Sequence, residues 1–143
     1  MSNFKGVKVA LLYQAVQPPI IDGVRKPMKP GGYSDSGADI ACALARKGVE
    51  VVVPTENPSD QKVLDWVFPD TKEGIEAAIL KGATTLWANT ILFDEHPISL
   101  FVGRGLSLVG QHWSLTQKYD DKWTTNEELK VAGLCVAPSV LIS

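Results

Sequence analysis

Two kinds of apolar spacing alternate along the chain. Val7 to Leu12 (VKVALL) is a short apolar run of the length that a strand buried in a parallel sheet would have. Val49 to Val53 (VEVVV) is β-branched and stops at Pro54, and Thr84 to Ala88 (TTLWA) and Leu106 to Val109 (LSLV) supply two more such strands. Between these runs the period changes to three-four. A helix is predicted from Gly37, with Ile40, Ala43 and Leu44 on one face and Gly48 closing it. A second is predicted from Thr71 to Lys81 through Ile75, Ala78 and Ile79, closed by Gly82. The intervening SDQKVLDWVFPD predicts a short helical turn ended by Pro69, with Asp70 or Thr71 placed to cap the next helix.

Strands that alternate with helices argue for an α/β fold: a Rossmann-like parallel sheet with helices on both faces and right-handed crossovers. Lys118 to Ala132 carries one or two further helices, and Ser139 to Ser143 (SVLIS) has strand composition with no partner left to pair with. An unpaired apolar strand is an aggregation liability that complete domains avoid. The expectation is therefore a Rossmann-like domain over 1–120 and, over 121–143, a linker helix and the first strand of a second, truncated domain.

The turn-rich stretch after the first strand contains PGGYSDSG, from Pro30 to Gly37. Its glycine spacing suggests a phosphate cradle, but that chemistry needs a lysine and a hydroxyl directly after the second glycine, where Ala38 and Asp39 stand instead. Asp35 would repel phosphate, and a helix dipole favours it. Two readings stay open: Ser34 or Asp35 caps the helix, or the loop also lines a substrate pocket beyond the carboxyl end of the first strand. The pocket reading draws in Tyr13, Gln14, Gly31, Gly32, Tyr33, Ser34, Asp35, Ser36 and His96 as substrate-binding candidates, with an amine or hydroxyl group suited to Asp35.

Composition narrows the function classes. The 143 residues are 45% hydrophobic and 21% charged, a globular balance with no apolar run near the length of about 20 residues that spans a bilayer. Fourteen basic and sixteen acidic residues give a net charge of -2 with no basic cluster, which argues against nucleic acid as a partner. MSNFKG lacks the form of a secretory leader, so a cytoplasmic location is expected. Cys42 and Cys135 lack ligand spacing and read as two reduced thiols, and no metal site is expected.

Other candidates are weaker. Phe93-Asp94-Glu95-His96-Pro97 reads first as a solvated turn, with a substrate-orienting His96 as the alternative. His112 marks a helix start, Arg104 suits a surface role or an anion contact, and Trp66, Trp87, Trp113 and Trp123 suit packing. No nucleophile, base and orienting acid form a set, so no catalytic residue is assigned.

From Leu108 onward, LVGQHWSLTQKYDDKWTTNEELKVAGLCVAPSVLI contains a strand ending in Gly110, a helix, the pair Asp121-Lys122, a second helix, Ala132-Gly133 and an apolar run after Pro138. In order and spacing this stretch resembles the junction between the first and second domains of ATP-grasp enzymes, among them biotin carboxylase and the D-alanine:D-alanine ligases. The preceding residues fit the family's pre-ATP-grasp domain by element order. The resemblance implies that Lys122 contacts nucleotide phosphate. It also implies an ATP-dependent carboxylate–amine ligase that activates its acid as an acyl phosphate, with Mg²⁺ neutralising phosphate charge. The expected substrates are a small carboxylate or amine. ATP and Mg²⁺ serve the complete enzyme, and neither is expected to bind tightly to this chain alone. The expected protein partners are complementing ATP-grasp domains or, for a stand-alone non-catalytic Rossmann-like module, a second copy of the chain. No membrane partner is expected.

Overall fold

A computed structural model describes residues 4–142. In chain order the elements are β1 (Lys8–Tyr13), a hairpin of β2 (Ile20–Ile21) and β3 (Val24–Arg25), α1 (Ser34–Arg46), β4 (Glu50–Val52), β5 (Phe68–Pro69), α2 (Lys72–Leu80), β6 (Thr85–Asn89), β7 (Ser107–Val109), α3 (Trp113–Tyr119) and α4 (Lys122–Val131). The main sheet runs β4-β1-β6-β7, every pairing parallel. β5 shares one edge of β1 with β4: Lys8 to Ala10 pair with β4, and Leu12 and Tyr13 with β5. The fold is α/β and Rossmann-like, as the strand and helix periodicities predict.

β1 explains the layers. Its Ala10 and Leu12 join Ile75 and Ala78 of α2 in one core, while Val9 and Leu11 join Ala38, Ala41 and Val67 under α1 in the other. Successive side chains of a strand point to opposite faces, so a strand covered on both sides must be apolar throughout. At α2 the Thr71 side chain accepts from the Gly74 amide at 3.1 Å, so Thr71 rather than Asp70 is the cap.

Three expectations are corrected. α1 begins at Ser34, and its buried face is Ser34, Gly37, Ala38 and Ala41 while Ala43 is exposed. Small residues let the helix backbone approach the sheet: a Cβ on Gly37 would meet Val67 Cγ1 at 3.0 Å. Phe68 and Pro69, read as the end of a helical turn, form an edge strand, where a proline's missing N–H costs no ladder bond. Finally, residues 139–142 form no strand, because the sheet offers them no partner, and Val140 and Ile142 stay 82% and 89% exposed. Ser143, the last residue of that run, lies outside the described residues, as do residues 1–3 of the predicted first domain. Among the described residues no helix is long and apolar enough to cross a membrane.

Candidate functional site

From β1 the chain moves to β4 and β5 on one side, then crosses to β6 on the other. Loops leaving the carboxyl ends of β1 and β6 therefore part in opposite directions, which opens a crevice where ligands bind in open α/β sheets. At this edge stand the strand ends Tyr13 and Asn89, residues 14–16 after β1, 70–71 after β5, 90–93 after β6, and the glycine loop before α1.

Main-chain contacts fix the glycine loop. Gly31, Gly32 and Tyr33 are consecutive left-handed residues, with φ of 75°, 55° and 64°. The Gln14 amide donates to the Gly32 carbonyl at 2.7 Å. The approach is so close that a Cβ on Gly32 would sit 1.9 Å from the Gln14 carbonyl oxygen. From the far side Asn89 Nδ2 donates to the Tyr33 carbonyl at 2.9 Å and to Ser36 Oγ at 3.0 Å. Neither Ser34 nor Asp35 is the cap of α1. Tyr33 holds the N-cap position with no side-chain cap, and Asp35 lies in the first turn, where Oδ1 accepts the Ser36 amide at 2.8 Å. Asp35 is exposed, and its charge is favoured there by the helix dipole. Tyr13 pairs with Asn89 across the ladder, so both face α1, as their neighbours Leu11 and Trp87 do. Gln14 is only 2% exposed, and its Oε1 and Nε2 have no hydrogen-bond partner.

The same edge is held together by a buried pair that the sequence did not reveal. Asp70 and His96 are both fully buried. Asp70 Oδ1 accepts the Ala15 and Val16 amides at 2.7 and 2.8 Å, and Oδ2 accepts from Thr90 Oγ1 at 2.5 Å. His96 Nε2 lies 2.9 Å from Oδ2, and His96 Nδ1 accepts the Ile98 amide at 3.1 Å. With Nδ1 occupied as an acceptor, the ring carries its proton on Nε2 and donates it to Asp70. Burial pushes the Asp70 pKa up, but the hydrogen bonds from His96, Thr90, Ala15 and Val16 outweigh it and hold the carboxyl below its ordinary value. One carboxylate thus ties together the segments that leave β1, β5 and β6. The reading of Phe93 to Pro97 as a solvated turn is corrected accordingly: Asp94 and Glu95 are exposed, whereas His96 is sealed inside with both nitrogens engaged. His96 positions the crevice and offers no free nitrogen to a substrate.

A cleft of about 480 Å³ opens beside this scaffold. The hairpin and its lead-in contribute Pro18, Pro19, Ile21 and Val24, the segment after β6 contributes residues 91–93, and Gln117, Asp120, Asp121 and Lys122 complete the lining. Lys122 begins α4 and stands on this lining, apart from Tyr13, Gln14, His96 and the glycine loop, none of which lines it. Asp121 caps α4 by accepting the Thr124 amide at 2.7 Å, a bond that lowers its pKa, and Lys26 and Asp120 form an ion pair. The hairpin went unread in the sequence. Its signal was Asp22-Gly23 between Ile20-Ile21 and Val24-Arg25, the two φ > 0 residues of a tight hairpin turn.

No protein-family model, no curated protein and no solved structure matches this chain. Fold and site together define a Rossmann-like α/β domain with a ligand-sized cleft at its strand-order switch.

Proposed function

We propose that the chain is the substrate-side domain of an ATP-dependent carboxylate–amine ligase of the ATP-grasp kind, with ATP and Mg²⁺ gripped mainly by other polypeptide. One observation carries the reading: the stretch from Leu108 onward that resembles the ATP-grasp junction contributes Gln117, Asp120, Asp121 and Lys122 to the cleft. The residues on that cleft do not by themselves fit a triphosphate. Asp22, Asp120 and Asp121 stand against Lys26 and Lys122, and Lys26 is already paired with Asp120. Lys122 therefore serves as one phosphate contact within a larger site and supports no ATP chemistry alone. The glycine loop, stiffened through Gln14 and Asn89, presents Tyr33 and Asp35 as a second recognition surface.

The test is a melting curve and a phosphate-release assay on this chain. Because ligand stabilisation follows RT ln(1 + [L]/Kd), ATP with Mg²⁺ below millimolar concentration should shift Tm by less than about 1 °C. No nucleotide should be turned over with any pool of small acids and amines. A clear upward shift or measurable turnover by the chain alone would overturn the proposal. A non-catalytic, self-associating module is the second reading, favoured by Val131, Val140 and Ile142, which are 88%, 82% and 89% exposed. Sedimentation equilibrium decides it. A dimer lost on Val140→Ser with Ile142→Ser supports the module, and a monomer at all concentrations rules it out.

A further inference from the structure

The cleft has a chemistry of its own, independent of nucleotide. Its lining is mainly apolar, made chiefly by Pro18, Pro19, Ile21, Leu92 and Phe93. Its size falls in the range of small-molecule sites, roughly 300–1,000 Å³. Charge sits at the rim and is unbalanced. The three carboxylates Asp22, Asp120 and Asp121 outnumber the two cations Lys26, which pairs with Asp120 and also acts on Asp121, and Lys122. Asp121 stays ionised, its carboxylate favoured by the Thr124 amide it accepts. Asp22 sits at the hairpin tip, in a turn whose φ of 51° the following Gly23 continues. A guest that satisfies this site buries an apolar body and carries a positive charge to the rim, while an anionic guest meets an excess of carboxylate.

We propose that this cleft binds a small apolar amine in its ammonium form, with its hydrocarbon against Leu92 and Phe93 and its ammonium at Asp22 and Asp121. The site stands on the cleft alone. Under the ligase reading the guest would be the amine acceptor, poised near Lys122, where the activated acid would lie.

Three probes of one shape separate the contributions: phenethylamine, phenethyl alcohol and hydrocinnamate, titrated into the whole chain and followed by calorimetry and backbone amide NMR. Phenethylamine is expected to bind tightest, roughly tenfold over the alcohol, as one charge-assisted hydrogen bond allows. Hydrocinnamate is expected to bind weakest. Amide shifts should centre on residues 21–24, 91–93 and 117–122. Asp22→Asn keeps a residue type that tolerates φ > 0, so its Tm should match the parent. It should weaken phenethylamine severalfold and leave the alcohol unchanged, while Lys122→Ala should not weaken phenethylamine. Equal binding of amine and alcohol, tighter binding of hydrocinnamate, or shifts elsewhere would each overturn the assignment. None of these outcomes bears on ATP. Turnover of ATP by the chain alone would defeat the ligase reading and leave the amine site standing.

Discussion

Replacing Asp70 tests whether the crevice is held by one buried carboxylate. In Asp70→Asn the amide oxygen can keep the Ala15 and Val16 amides, now at 2.7 and 2.8 Å from Oδ1, but the NH₂ group takes the place of Oδ2. Thr90 can rotate its hydroxyl and accept. His96 cannot adapt, because its Nδ1 is committed to the Ile98 amide and its Nε2 must keep the proton, so two N–H groups face each other at the 2.9 Å position. One buried donor left without an acceptor costs about 2 kcal/mol, and Asp70→Ala, which strands more donors, about 3–4 kcal/mol. For a domain of this size Asp70→Asn should lower Tm at pH 7 by roughly 6–8 °C in scanning calorimetry. The sign of the pH dependence follows from the depressed pKa of Asp70. Its stabilisation is complete above the unfolded carboxyl pKa of about 3.9 and is lost as pH falls through the lower folded value. Parent and Asp70→Asn melting curves should therefore stay apart down to about pH 4 and approach one another only as pH falls further, through the lower folded value. Parallel curves across that range, or an Asn variant as stable as the parent at pH 7, would refute the reasoning.

Other substitutions probe the surrounding contacts. Gly32→Ala places a Cβ 1.9 Å from the Gln14 carbonyl oxygen at a left-handed φ, so urea denaturation should show a loss of about 2–4 kcal/mol. Asn89→Ala removes the donors to the Tyr33 carbonyl and Ser36 Oγ, and should cost about 1–2 kcal/mol with faster amide exchange confined to residues 31–37. Thr71→Ala removes the α2 cap and should cost about 1 kcal/mol in the same denaturation assay, while Thr71→Ser should stay near the parent.

What the sequence made legible was local. Within VKVALL the four residues Val9 to Leu12 are apolar throughout because β1 is covered by α1 and α2, while Lys8 at the start of β1 reaches out to Glu50. Both helix ends at Gly48 and Gly82 followed from the left-handed φ those glycines adopt. The buried pair was hidden by its neighbours. Asp70 precedes a helix and resembles a cap, and His96 follows two exposed carboxylates, so only tertiary structure joins residues 26 apart in the chain. Of the substrate-side candidates, the fold brings Tyr13, Gln14, the glycine loop and His96 to one edge of the sheet. It leaves Lys122 on the neighbouring cleft, a separation that depends on loop paths no periodicity encodes.

The glycine loop is anchored through the carbonyls of Gly32 and Tyr33 and through Ser36 Oγ, so the side chains of Tyr33 and Asp35 contribute nothing to its anchorage by Gln14 and Asn89. Position 35 can be rewritten at the cost of its own bond to the Ser36 amide and its helix-dipole contribution, and position 33 accepts Asn and Gly most naturally, at a φ of 64°. If the loop is the recognition surface proposed above, its selectivity would be modular: a two-position library screened for guests would vary the side chains presented while the architecture beneath them stays the same.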